Sequence, residues 1–65
     1  MTKVYTLVEV CDGDVYVDVY GTMSEARDQA EELASLNGWE ESETDRWEDP
    51  EDCTNYIGVQ AKEVL

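Results

Sequence analysis

The dipeptide Asp12-Gly13 sits between two runs of β-branched and aromatic residues, and no other feature of the chain restricts its fold as tightly. Residues Lys3 to Cys11 read Lys-Val-Tyr-Thr-Leu-Val-Glu-Val-Cys, and Val15 to Tyr20 read Val-Tyr-Val-Asp-Val-Tyr. Both compositions favour strands. Asp-Gly between them predicts a two-residue type I′ turn, because both central residues need positive φ. A loop of that length dictates the register: Cys11 opposite Asp14, Val10 opposite Val15, Val8 opposite Val17, Thr6 opposite Val19. One face of this hairpin is then almost wholly β-branched. The other collects Tyr5, Leu7, Glu9, Tyr16, Asp18 and Tyr20. The valine face is the expected core face, and Val8 is expected to lie beneath the helix that follows, so that Val8→Asp unfolds the domain.

After Gly21, the tetrad Thr22-Met23-Ser24-Glu25 fits a capping box and predicts a helix from about Met23 to Leu36. Met23, Ala26, Ala30, Leu33 and Ala34 share one narrow face by their spacing. Glu25, Asp28, Glu31 and Glu32 share the opposite one. Asn37-Gly38 is a helix stop. Trp39-Glu40-Glu41-Ser42-Glu43 suggests a short strand, Asp49-Pro50-Glu51-Asp52 a turn, and Tyr56 to Val64 a last strand with Ile57, Val59 and Ala61 facing the core. The order is β-β-α-β-β. It predicts one domain over residues 1–65, an α+β fold built as a small two-layer sandwich with one helix on one face of an antiparallel sheet. The uncovered sheet face is expected to carry the tyrosines.

Function classes are narrowed by what is missing. Seventeen carboxylates face four basic side chains, for a net charge of −13. Phosphate binding needs clustered Lys and Arg, so nucleic acid and anionic membranes are excluded as partners. No His is present, and neither Cys11 nor Cys53 has a cationic neighbour in sequence to activate it. The chain is therefore expected not to be an enzyme. Asp12-Gly13-Asp14 is a fragment of a calcium loop without the remaining ligand positions, and the two cysteines lie too far apart in sequence for a zinc pair. No cofactor and no metal are expected. The cysteines are read as free thiols, with a single bridge as the alternative. No apolar run reaches the length of a membrane span, and Met1-Thr2-Lys3 leads straight into strand pattern, so a cytoplasmic monomer is expected.

The carboxylates remain as the candidate for function. In the segment Trp39–Asp52, eight of fourteen residues are acidic and Arg46 alone opposes them. A globule of this length has a diameter of roughly 28 Å, over which duplex DNA carries about 16 charges. Two acidic clusters compete for the role of contact surface: the helix acids Asp28, Glu31 and Glu32 beside Glu25, and the segment acids Glu40, Glu43, Asp45, Glu48, Asp49, Glu51 and Asp52. Alternate residues of a strand lie about 6–7 Å apart, which suits adjacent phosphates better than helix spacing does. The segment is therefore the expected main surface, with the helix acids supplying background field.

With its length of 65 residues, its acidic helix face Glu25, Asp28, Glu31, Glu32, its acidic segment Glu40 to Asp52 and its strand-strand-helix-strand order, the chain resembles the small phage-encoded inhibitors that mimic DNA. Among these it is most similar to the anti-CRISPR proteins directed at type I surveillance complexes. The resemblance covers the whole chain without a shared motif, and it carries over no functional residue. It implies a host-defence inhibitor in a bacterial cytoplasm. Its acidic surface would occupy the groove where a basic DNA-binding protein or CRISPR effector subunit engages target DNA. Two other readings stand beside it: an acidic adaptor that binds a protein partner through the tyrosine-bearing sheet face, and a halophilic accessory domain.

Overall fold

The computed structural model describes residues 2–64, without the side chain of Cys53. Any pairing between Cys11 and Cys53 therefore lies outside the described side chains. Strands β1 (Thr2–Cys11) and β2 (Asp14–Tyr20) precede helix α1 (Met23–Asn37), and β3 (Glu40–Glu43), β4 (Arg46–Asp49) and β5 (Asp52–Val64) follow it. The strands form one antiparallel sheet in the order β2-β1-β5-β4-β3, with α1 across one face: a two-layer α+β sandwich. The molecule extends 39 × 21 × 17 Å. No helix of the described residues is long and apolar enough to cross a membrane.

The first hairpin has the predicted turn and register. Asp12 (φ 53°) and Gly13 (φ 86°) both take positive φ, and Val8 pairs with Val17, Val10 with Val15 and Thr6 with Val19. The helix boundaries follow their signals as well. Thr22 caps the N-terminus by accepting from the Glu25 N–H at 3.2 Å, while its hydroxyl donates to the Glu25 carboxylate at 3.0 Å. Gly38 (φ 74°) closes the C-terminus in the left-handed region. There Trp39 N–H reaches the Ala34 carbonyl and Gly38 N–H the Ser35 carbonyl, the Schellman arrangement that carries Trp39 into the core.

The face assignment is the reverse of the sequence expectation. Helix α1 covers the side bearing Tyr5, Leu7 and Tyr20, and the valine side is open. Leu7, Ile57, Val59, Trp39 and Trp47 are buried with Ala26, Ala30 and Ala34, and Tyr5, Tyr20, Cys11, Met23 and Leu33 pack around them. Val15, Val17 and Val19 are 59–62% exposed, and Val8, half-buried, lies on the open side. The physical reason is volume. A helix face made of three alanines contributes little side-chain volume, so large side chains from the sheet and from Trp39 fill the layer beneath it. Tyr, Leu, Trp and Ile do so. The valines serve strand propensity on a solvated face. Two smaller differences accompany this one. Residues 46–49 form a strand the sequence reading did not assign, so the order is β-β-α-β-β-β. Ala61, opposite Tyr5 and on the helix side of β5, is exposed.

Candidate acidic interface

The expected surface is folded into a hairpin. Residues 40–49 run out along β3 and back along β4, pairing Glu40 with Glu48, Glu41 with Trp47 and Glu43 with Arg46, with a register shift between Glu41 and Glu43. Asp45 closes the turn with φ 60°, a conformation Asp tolerates better than most residues. Alternation places Glu41 and Trp47 on the helix side, and Glu40, Glu48 and Arg46 on the open side. The segment is thus a short ribbon of two four-residue strands, not the single extended path expected from its length.

Its acids fall into two groups. Four of the predicted seven carry bonds within the fold. Asp45 takes the Arg27 guanidinium in a close ion pair, and Arg27 also approaches Glu31 and Glu41 at 3.4 Å each. The bond to Asp45, followed by that to Glu41, holds Arg27 charged beyond its already high value, against the opposing effect of burial. Glu48 accepts from Ser42 at 2.6 Å and from Arg46 at 3.2 Å, and these two bonds, Ser42 first, hold its carboxyl below the usual range. Asp52 accepts the Thr54 hydroxyl at 2.6 Å and the Thr54 N–H at 3.0 Å, with the same downward effect. Asp49 accepts the Glu51 N–H at 2.9 Å and so shapes the β4–β5 turn, where Pro50 supplies a preset φ. Glu40, Glu43 and Glu51 are exposed and stand outside the hydrogen bonds of the described side chains. Of the helix acids, Asp28 and Glu32 are exposed in the same way, whereas Glu31 shares Arg27.

Three anchors escaped the sequence reading. Arg27 joins α1 to the β3–β4 hairpin: it lies 5.2 Å from the Trp47 ring centroid and binds carboxylates from α1, β3 and the β3–β4 turn. Its i, i+4 spacing to Glu31 was the legible part of that signal. Arg46 stacks on Tyr56 at 4.1 Å and holds Glu48. Asn55, buried, accepts the Asp12 N–H at 3.0 Å and faces Asp49 at 3.5 Å, tying the first turn to the last. Asp52-x-Thr54 was readable as a side-chain-to-backbone turn.

Between β3 and the β4–β5 turn lies an open cleft of about 410 Å³ lined by Glu40, Glu41, Ser42, Glu48, Asp49, Pro50 and Glu51. Five carboxylates around one concavity attract a protruding Lys or Arg side chain and repel anions. Among the described residues no group of His, Cys, Asp or Glu is arranged to hold a metal ion. The tyrosine face needed by an adaptor is largely occupied, since Tyr5 and Tyr20 pack against the core and Tyr16 alone is strongly exposed. Along the 39 Å long axis, −13 amounts to one net charge per about 3 Å. That is close to one strand of duplex DNA, and half the density of the duplex. No protein-family model, no curated protein and no solved structure matches this chain.

Proposed function

We propose that this chain is a non-enzymatic inhibitor that binds a basic DNA-binding protein by presenting carboxylates where that protein engages phosphates. One observation carries the reading. Both arginines are engaged by the fold's own acids, so Glu40, Glu43, Glu51, Asp28 and Glu32 project with no internal counter-charge. Arg27 ties α1 to the β3–β4 hairpin through Glu31, Glu41 and Asp45, so the helix acids and the open-side ribbon acids Glu40 and Glu43 are two separate acidic faces on one rigid frame. Binding releases counterions from both partners, as DNA binding does. The resemblance drawn from the sequence makes the effector subunit of a type I surveillance complex the first candidate target, with exclusion of target DNA as the consequence.

Charge reversal in two blocks tests this. Glu40→Lys, Glu43→Lys and Glu51→Lys together remove ribbon charges without touching an internal bond. Asp28→Lys with Glu32→Lys does the same for the helix. The first block is expected to weaken inhibition of the target's DNA binding by at least about a hundredfold with native circular dichroism, since each exposed contact contributes roughly 1 kcal/mol or less singly and reversal adds repulsion. The helix block is expected to weaken it less. A larger loss from the helix block places the interface on α1. No loss from either ends the proposal.

A further inference from the structure

The two edges of the sheet are unlike. At one, β3 has four residues, three of them Glu, and a register irregularity beside β4. Short length, charge and bulges are the usual devices against edge-to-edge pairing. At the other edge, β2 is seven residues long, regular in register with β1, and free of Lys and Pro. The two-residue turn determines which of its backbone groups are free. Cys11 and Asp14 flank that turn and exchange its hydrogen bond, and bonded and non-bonded pairs alternate along the ladder. Val15, Val17 and Val19 therefore stand in non-bonded pairs with Val10, Val8 and Thr6. Their N–H and C=O groups point away from the sheet.

We infer that β2 is a self-association edge: two copies of this chain pair β2 to β2, antiparallel, with Val17 on the two-fold axis. The sequence Asp14-Val15-Tyr16-Val17-Asp18-Val19-Tyr20 is self-complementary in that register alone. Val17 meets Val17 and Val15 meets Val19, so every outward-pointing valine backbone finds a partner. On the helix side, Asp18 meets Tyr16 and Asp14 meets Tyr20, and no carboxylate lies directly opposite another. Sliding the pair by two residues in one direction places Asp14 opposite Asp18. Sliding it in the other places Asp18 opposite itself. Like charges directly opposite are destabilising, so charge selects the register. The product is one ten-stranded sheet whose open face bears a continuous stripe of the valines that are 59–62% exposed in the single chain. Seven residues a side bury an area at the low end for specific interfaces, below about 1,200 Å², so the dimer is reversible and concentration-dependent. The monomer expected from sequence is its dilute state.

Two bodies of charge −13 repel, and salt screens that repulsion. Dimerisation therefore strengthens with salt, whereas binding to a basic partner weakens. Sedimentation velocity on the full chain from ~10 μM to ~1 mM, at ~0.05 M and ~0.5 M salt, reads this out. The mass is expected to rise to twice the monomer value, with a dissociation constant at least tenfold lower in the higher salt. Val17→Pro removes an outward N–H, not one bonded to β1, and Val17→Glu sets a carboxylate against its own copy. Both are expected to stay monomeric throughout, with native circular dichroism. A monomer under all conditions overturns the inference. So does a dimer that both variants leave intact, which would join through another surface.

Discussion

Leu7 and Val17 show how finely position decides the worth of a side chain here. They occupy neighbouring strands and opposite faces, and Leu7 is 1% exposed. Leu7→Ala is expected to cost about 2–5 kcal/mol, against a total of about 3–5 kcal/mol for a core this small. Val17→Thr should change stability by no more than ~0.5 kcal/mol. Urea unfolding of the two variants checks the assignment of faces, and comparable losses would contradict it. Alternation made the two faces legible in sequence but not which one is covered, because valine signals strand and burial equally. The alanines of α1 held the answer, since a flat helix face calls for bulky partners. Glu48 carries a pH signature. Its carboxyl is held below the ordinary value by Ser42 and Arg46, so it binds protons less readily folded than unfolded. Its stabilisation is present above the unfolded value of about 4.3 and is lost as pH falls through the lower folded value. Glu48→Gln should therefore be less stable than the parent at neutral pH, with the deficit shrinking as pH falls below the ordinary carboxyl value. A deficit that does not change with pH would show that the Glu48 charge has no part in it.

At the scale of elements, the hairpin and the helix were readable because each carries its own local stop and start signals. Asp12-Gly13, the Thr22 cap and Gly38 act within four residues of where they sit. The β3–β4 ribbon was not readable in full, because its order depends on contacts made from elsewhere: Arg27 in α1 binds Asp45, and the Asp45 carbonyl accepts the Val59 N–H of β5 at 2.9 Å. Removing Arg27 should thus loosen this ribbon more than any other element. Arg27→Ala is expected to raise amide exchange in residues 40–49 severalfold or more while β1 and β2 keep their protection. Uniform exchange across the sheet would contradict the role given to Arg27. The helix has its own test. Ala30 is fully buried where α1 crosses the sheet. Ala30→Leu should cost at least about 1–3 kcal/mol, because added volume lifts the helix away from Leu7 and Ile57. An unchanged thermal midpoint would show that space remains beneath α1.

For the whole molecule, charge dominated the sequence and still dominates the structure, but its distribution was hidden. Composition gives −13 without saying that Asp45 and Glu48 are matched by Arg27 and Arg46, or that the long axis reaches 39 Å and lowers the density expected for a sphere of roughly 28 Å by about a quarter. What remains is a frame with unmatched carboxylates on α1, β3 and the β4–β5 turn. A domain that needs molar salt to fold would be unfolded in dilute buffer. This one, with its ion pairs and capped helix, is expected to show native circular dichroism at ~20 mM salt, and loss of structure there would favour halophilic adaptation instead. The most direct measurement of the central claim is displacement of a labelled target duplex from a type I surveillance complex, followed by fluorescence anisotropy at ~50 mM and ~500 mM salt. The chain is expected to displace the duplex near stoichiometry at the lower salt. Its affinity should fall at least tenfold at the higher salt, and Glu40→Lys, Glu43→Lys and Glu51→Lys together should abolish displacement. A duplex that stays bound at hundredfold excess in low salt, or displacement that ignores both salt and these three substitutions, would contradict the claim that this acidic surface acts in place of DNA.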